Sequence, residues 1–207
     1  MTLVKICGIT SLEDALAAVE AGADALGFNF YDRSPRYISP ANAREITNHL
    51  PPSILRVGVF VNEELQSLLT IASEANLTAV QLHGDESPEY CEALKQTFVI
   101  KAFSAREDLD LKAYDVDAIM LDTKDELLRG GTGRVFDWSI ARRAGNSIPK
   151  LFLAGGLSPE NVAEAIATVK PYAVDACSSL ETTPGKKNHA RMRAFVNAVR
   201  CVTLDGD

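Results

Sequence analysis

Val4-Lys5-Ile6-Cys7-Gly8-Ile9-Thr10 is a short apolar run that stops at a cysteine, turns at a glycine and gives way at once to a helical pattern. Thr10 or Ser11 is placed to cap that helix, and the Leu12/Leu16/Val19 spacing buries one of its faces. Strand, loop and helix in this order put Cys7 at the C-terminal end of a parallel sheet, the edge at which such folds bind ligands. The fold then depends on whether the unit recurs.

It recurs along the whole chain. Apolar, β-rich runs predict eight strands, at Leu3–Ile6, Ala25–Phe28, Leu55–Val61, Ala79–Leu82, Phe98–Lys101, Ala118–Leu121, Leu151–Ala154 and Ala173–Cys177. Several are apolar at consecutive positions, as strands covered on both faces are. Helical patterns separate them: Leu12–Ala21, Pro40–Leu50 with Ser39 as cap, Glu63–Ala75, Glu89–Gln96 after Ser87-Pro88, Asp137–Ala144, Glu160–Val169 after Ser158-Pro159, and Asn188–Val202. The connection at Ala105–Tyr114 is weak and predicts at most a short helix. Eight alternating units give an α/β fold, a closed (βα)8 TIM barrel filling residues 1–207 as a single domain. An open doubly wound sheet is the alternative, and the missing GxGxxG after the first strand speaks against it.

Composition narrows the function. The 207 residues are 46% apolar, enough for one well-buried domain. A net charge of −7, from 28 acidic and 21 basic side chains, is the wrong sign for a nucleic-acid binder. No run is long and apolar enough for a membrane span, and no signal peptide is evident. Cys7, Cys91, Cys177 and Cys201 form no CxxC pair and have no histidines at metal spacing, so no metal site is expected, and the thiols read as reduced and cytoplasmic.

In a barrel, chemistry sits just after each strand. Those positions hold Cys7, the Asn29–Tyr37 loop with Arg33 and Arg36, His83-Gly84-Asp85, Asp122-Thr123-Lys124 followed by Gly130–Gly133, Gly155-Gly156, and Asp175 through Ser178-Ser179. Bare glycine amides and a serine pair at the ends of strands seven and eight suit a phosphate. A thiolate at Cys7 suits proton abstraction from carbon, and a carboxylic acid at Asp122 suits protonation of a leaving oxygen. Each has a plainer reading: Cys7 as a small buried hydrophobe, Asp122 as a cap or a partner for Lys124, Gly155-Gly156 as a tight turn, Arg36 as a solvated arginine, His83 as a loop hydrogen bond. Cys91 and Cys201 fall in helical patterns and read as packing residues. Lys5 is assigned by alternation to the opposite strand face from Cys7, which leaves no visible source for a lowered thiol pKa.

Taken together, Lys5–Thr10, Gly27-Phe28 with Ser34-Pro35-Arg36, Val57–Asn62, Gln81–Asp85, Leu121–Thr123, Gly130–Gly133 with Phe136-Asp137-Trp138, Leu153–Leu157 with Pro159, Asn161 and Val162, and Pro184–Lys187 resemble the phosphoribosylanthranilate isomerase family in order and spacing. The resemblance implies a cofactor-free Amadori rearrangement in tryptophan biosynthesis, from N-(5-phosphoribosyl)anthranilate to 1-(2-carboxyphenylamino)-1-deoxyribulose 5-phosphate. It implies Cys7 as general base, Asp122 as general acid and Arg36 on the anthranilate carboxylate. It places the phosphate on backbone amides near Gly155-Gly156 and after strand eight, with His83, Asp175, Ser178 and Ser179 also at the substrate. The expected partner is a small phosphosugar, and a monomer is expected. After strand eight the chain departs from the family pattern Asp-Val-Ser-Ser-Gly-Val-Glu: it reads Asp175-Ala176-Cys177-Ser178-Ser179-Leu180-Glu181, so cysteine stands at a serine position and Ser179 at a glycine position. Other phosphosugar barrels fit less well, since an epimerase needs strand-end metal ligands and an indoleglycerol-phosphate synthase a lysine–glutamate set. A non-catalytic sugar-binding barrel has no use for Cys7 and Asp122 together.

Overall fold

The computed structural model describes residues 1–105, 110–122, 138–145, 148 and 150–202. Eight parallel strands close into a barrel: β1 (Leu3–Ile6), β2 (Ala25–Asn29), β3 (Leu55–Phe60), β4 (Ala79–Leu82), β5 (Phe98–Ser104), β6 (Ala118–Asp122), β7 (Leu151–Ala154) and β8 (Ala173–Ala176). The β1–β8 seam pairs Leu3 with Ala173, Lys5 with Asp175 and Ile6 with Ala176. The predicted closed barrel is therefore the observed one, and the open sheet is excluded. Each predicted strand is present, within a few residues at its ends.

Helices α1 (Leu12–Ala21), α2 (Pro40–Thr47), α3 (Leu65–Glu74), α4 (Pro88–Glu92), α5 (Ser139–Gly145), α6 (Val162–Val169) and α7 (His189–Arg200) surround it. Their starts follow from side-chain caps. Ser11, Ser39, Ser87 and Asn188 accept from Asp14 N, Asn42 N, Tyr90 N and Arg191 N, and Glu64 caps α3. Two helices stop earlier than periodicity predicts, because their last residues tighten into i→i+3 turns, as at His49 N→Ile46 O and Leu94 N→Cys91 O. Helix α6 starts later than predicted, because Ser158-Pro159 forms a turn and Asn161 reaches back to it. The weak fifth connection holds a 3-10 turn at Leu111–Ala113. The predicted Asp137 cap, Thr123-Lys124 and Gly130–Gly133 lie outside the described residues.

Strand alternation divides the core in two. One row packs against the helices, with Val4, Ile6, Leu26, Phe28, Val80, Leu82, Leu121 and Leu153 buried among Ala15, Leu68, Ile166 and Phe195. The other row fills the barrel interior: Ala25, Val57, Ala79, Ile100, Ala102, Ala118, Met120, Phe152, Ala154 and Ala173, with Leu3, Leu55 and Phe98 at one end. Following each interior row two residues further leads to Cys7, His83, Asp122 and Cys177 at the C-terminal mouth.

After β8, a 3-10 turn (Ser178–Leu180) leads into a hairpin, β9 (Glu181–Thr183) and β10 (Lys186–Lys187). Gly185 has φ 82° behind Pro184, the Pro-Gly arrangement that a tight type II turn requires. The sequence reading did not anticipate this hairpin, which returns Lys187 to the mouth.

Candidate active site

Lys5 and Cys7 are two residues apart on one strand, so they share a face. The assignment of Lys5 to the opposite face is therefore corrected. Lys5 is fully buried in the interior and donates to Asp175 Oδ1 at 2.8 Å. Gly27, the interior residue on β2, admits both: a Cβ there would meet Cys7 Sγ at 2.6 Å and Lys5 Nζ at 3.1 Å. Burial opposes the charge on Lys5, but the Asp175 and Cys7 anions more than offset it and hold its pKa above the usual value.

Cys177 continues the β8 row two residues beyond Asp175, directly across the seam from Cys7, whose amide donates to Ala176 O at 3.0 Å. Cys177 Sγ donates to Glu181 Oε1 at 3.8 Å and neighbours the Cys7 thiol. Turned to Cys7 as a donor, opposed by burial and assisted by the Lys5 charge, the Cys177 thiol brings Cys7 down to about 6. The same pairing, together with burial, pushes the Cys177 thiol far up. A low-pKa thiolate beside a neutral thiol is the result. Sequence reasoning missed Cys177, although once the barrel is closed its strand-end position opposite Cys7 follows from register.

Arg36 is half-buried and held from one side. Its Nε lies 2.8 Å from Glu181 Oε1, and its Nη2 lies 2.6 Å from Oε2. Lys187 Nζ donates to the same carboxylate at 2.9 Å, and the two cations, against the opposing effect of burial, keep Glu181 below the usual carboxylate range. The Nη1/Nη2 edge of Arg36 takes no partner among the described residues. Gly8, at φ 74°, lets the chain pass: a Cβ would meet Arg36 Cδ at 2.7 Å and Cys177 Sγ at 2.9 Å.

Across the mouth, Asp122 ends β6 with His83 Nε2 at 3.7 Å from its Oδ2. The Gln81 amide nitrogen is 2.9 Å from His83 Nδ1. Burial lowers the His83 pKa despite the Asp122 charge. His83 thus stands beside Asp122.

Gly155 and Gly156 have φ 91° and 67°, which side-chain-bearing residues rarely adopt, and the space beyond Gly156 Cα is open. Asn161 braces this loop, accepting from Ser158 N at 2.8 Å and donating to Gly156 O at 3.1 Å. Ser178 is exposed and starts the 3-10 turn, whose leading amides have no partner within the turn. The Ser179 hydroxyl donates to Leu157 O and so ties the two loops together. Ser179 does not have positive φ, so serine replaces the family glycine there without backbone strain. Arg36, Asp122, Gly155, Gly156, Asp175, Cys177, Ser178 and Ser179 line one cleft of about 140 Å³.

The loop after β4 is held by a second buried pair that the sequence reading did not name. Lys101, on the helix-facing row of β5, donates to Glu86 Oε2 at 2.9 Å and to Gly84 O at 2.7 Å. Glu86 in turn accepts from Asn62 N and Gly84 N. Among the described residues no cluster of His, Cys, Asp and Glu has the arrangement of a metal site. No helix among them is long and apolar enough to cross a membrane.

Comparison with known proteins agrees with this geometry. The family model for N-(5'-phosphoribosyl)anthranilate (PRA) isomerase matches residues 4–198. A relative from Thermotoga neapolitana bearing that name is 52% identical over 97% of this chain and 99% of its own length. One from Geobacter sulfurreducens is 51% identical over the same shares. The crystal structure of phosphoribosyl anthranilate isomerase from Thermotoga maritima superposes with a TM-score of 0.89 at 47% identity, covering 97% of this chain and 99% of that one. A phosphoribosyl anthranilate isomerase in complex with reduced 1-(o-carboxyphenylamino)-1-deoxyribulose 5-phosphate superposes with a TM-score of 0.86 at 45% identity, over the same shares. By family match, by identity along nearly its whole length and by fold, the chain belongs to the N-(5'-phosphoribosyl)anthranilate isomerase family.

Proposed function

We propose that the chain isomerises N-(5'-phosphoribosyl)anthranilate to 1-(2-carboxyphenylamino)-1-deoxyribulose 5-phosphate in tryptophan biosynthesis, with Cys7 as general base and Asp122 as general acid. The observation that carries this assignment is that Cys7, just after β1, and Asp122, at the end of β6, face the same C-terminal mouth from opposite sides of the closed barrel. Asp122 protonates the furanose ring oxygen as the ring opens to a Schiff base. Cys7 then removes the C2′ proton, and the resulting enolamine tautomerises to the ketone. Both steps move protons within one substrate, so the reaction calls for no cofactor. The phosphate lies against the Gly155-Gly156 and Ser178-Ser179 backbone, with the Ser179 hydroxyl already committed to Leu157. The anthranilate carboxylate takes the Nη1/Nη2 edge of Arg36, a bidentate contact that Glu181 orients from behind. Asp175 acts through Lys5, and His83 flanks Asp122.

A coupled turnover assay with phosphoribosylanthranilate generated in situ tests the assignment, run on the parent, Cys7→Ser and Asp122→Asn. Turnover in the parent and near silence in both variants, with circular dichroism unchanged, is the expected result. Full activity in either variant overturns its assigned role. We further place the enzyme in the cytoplasm, as a single barrel domain acting as a monomer. Of its exposed large apolar residues, Met1, Leu16, Tyr37, Leu69 and Tyr172, Leu16 and Leu69 lie on different helices, α1 and α3. The Thermotoga maritima relative is described as dimeric, so light scattering that reports twice the chain mass would refute the monomer.

A further inference from the structure

We propose that Cys7 and Cys177 form a modification site: a hydroperoxide oxidises the pair to an intramolecular disulfide that reversibly disables the general base. The pair is built for it. Neighbouring parallel strands lie about 4.7–4.9 Å apart, inside the range of Cα separations that a disulfide spans. Lys5 and Asp175, the in-register pair two residues earlier, bond across the same seam at 2.8 Å, so the row points side chain to side chain. Cys7 and Cys177 are the next such pair, with the Cys7 amide donating to Ala176 O across the seam at 3.0 Å. Both are free thiols, and Cys177 lines the cleft at the barrel mouth.

The chemistry balances in two steps. The Cys7 thiolate attacks one peroxide oxygen; an S–O bond forms, the O–O bond breaks, and hydroxide or alkoxide leaves, giving the sulfenic acid. Cys177 then attacks that sulfur; an S–S bond forms, the S–O bond breaks, and the Cys177 proton leaves with the hydroxyl as water. Each sulfur gives up one electron, and the peroxide takes both. The first step also prepares the second. The Cys177 thiol is held neutral by Cys7 as its hydrogen-bond partner, by burial and by the charge on Cys7, and sulfenic acid formation removes that negative charge. Lys187 Nζ, 3.8 Å from Cys177 Sγ, and the Arg36 guanidinium then favour its thiolate, against Glu181 Oε1 at the same distance. The other two cysteines do not compete for Cys7: Cys91 is buried in α4 with its thiol pushed up to about 11, chiefly by burial, and Cys201 is exposed beyond α7.

The test uses the full chain carrying Cys201→Ser, treated with hydrogen peroxide; free thiols are then alkylated and the protein is digested for mass spectrometry. The expected result is a peptide pair joined through Cys7 and Cys177, with turnover lost in proportion and restored by dithiothreitol. In Cys177→Ser, whose hydroxyl still donates to Cys7 but cannot form a disulfide, the same treatment carries Cys7 on to sulfinic acid, and dithiothreitol restores nothing. Two results overturn the proposal: parent Cys7 gathering oxygen as it does in Cys177→Ser with no linked peptide, or Cys7 staying reduced at peroxide levels that oxidise Cys201 in the parent chain. The linked peptide is read without turnover, so it stands or falls apart from the isomerase assignment; only the activity arm rests on that reading.

Discussion

Replacing Cys177 by alanine removes the strongest influence holding Cys7 as a thiolate, and its effect on rate is bounded by the structure. With the thiol at about 6, roughly nine-tenths of Cys7 is ionised at pH 7. A thiol returned to the free value of about 8.5 is ionised to only ~3% at that pH, a loss of about 30-fold or about 2 kcal/mol. That is a floor, because burial outweighs the Lys5 charge and then acts against the anion without the Cys177 bond to oppose it. The sign is fixed: the base works as the thiolate, so activity falls as pH drops through the Cys7 pKa, and the variant moves that fall to higher pH. The difference between the two enzymes narrows only as pH climbs to the variant's own thiol pKa. The assay is kcat/KM against pH from 5 to 9.5, which reports the free enzyme. Parent and Cys177→Ser, whose hydroxyl still donates, share an acid limb near pH 6, while that of Cys177→Ala lies higher. An acid limb at the same pH in parent and alanine variant would refute the argument that Cys177 acts on Cys7.

Other perturbations have equally definite outcomes. Lys5→Met leaves the buried Asp175 without its cation, and urea unfolding should show a loss of about 3–5 kcal/mol; replacing Asp175 by asparagine in the same chain should recover part of it. Gly27→Ala drives a methyl to 2.6 Å from Cys7 Sγ, so kcat should collapse while far-UV circular dichroism keeps its barrel signature; unchanged kcat would mean that Cys7 does not act from this position. Arg36→Ala should raise KM far more than it lowers kcat, because a carboxylate contact is made equally in ground and transition states. Arg36→Lys should fail to rescue it, since a point charge cannot bond Glu181 and a carboxylate with two edges.

Much of this was legible in the residues. Apolar runs and serine caps locate the eight strands and most helix starts, because burial on both faces and cap geometry are local properties. Cys7, Arg36, Asp122 and Gly155-Gly156 are found by one rule, that strand ends carry the chemistry, and the resemblance to a family supplied their roles. What the sequence hides is what needs register. The Lys5–Asp175 pair and the Cys7–Cys177 pair exist only because β1 closes against β8, 170 positions away. Lys5 is on the Cys7 face, since residues two apart on a strand point the same way. The bracing of Arg36 by Glu181 and Lys187 needs the hairpin, whose only local signal is Pro184-Gly185. Ser179 looked like an anion ligand, yet its hydroxyl is spent on Leu157, a contact set by the spacing of two loops rather than by residue type.

The seam also gives the molecule a sense of completion. Cys7 leaves the ribosome well before Asp175, Cys177 and Lys187, whose charges and hydrogen bonds set its acidity. Until the last strand docks against the first, the cysteine is an ordinary thiol with ordinary reactivity. Proton-abstracting power is thus withheld from every unfinished chain. In a refolding experiment, the appearance of a thiolate at pH 7 would mark the moment of ring closure, separately from the formation of the helices around it.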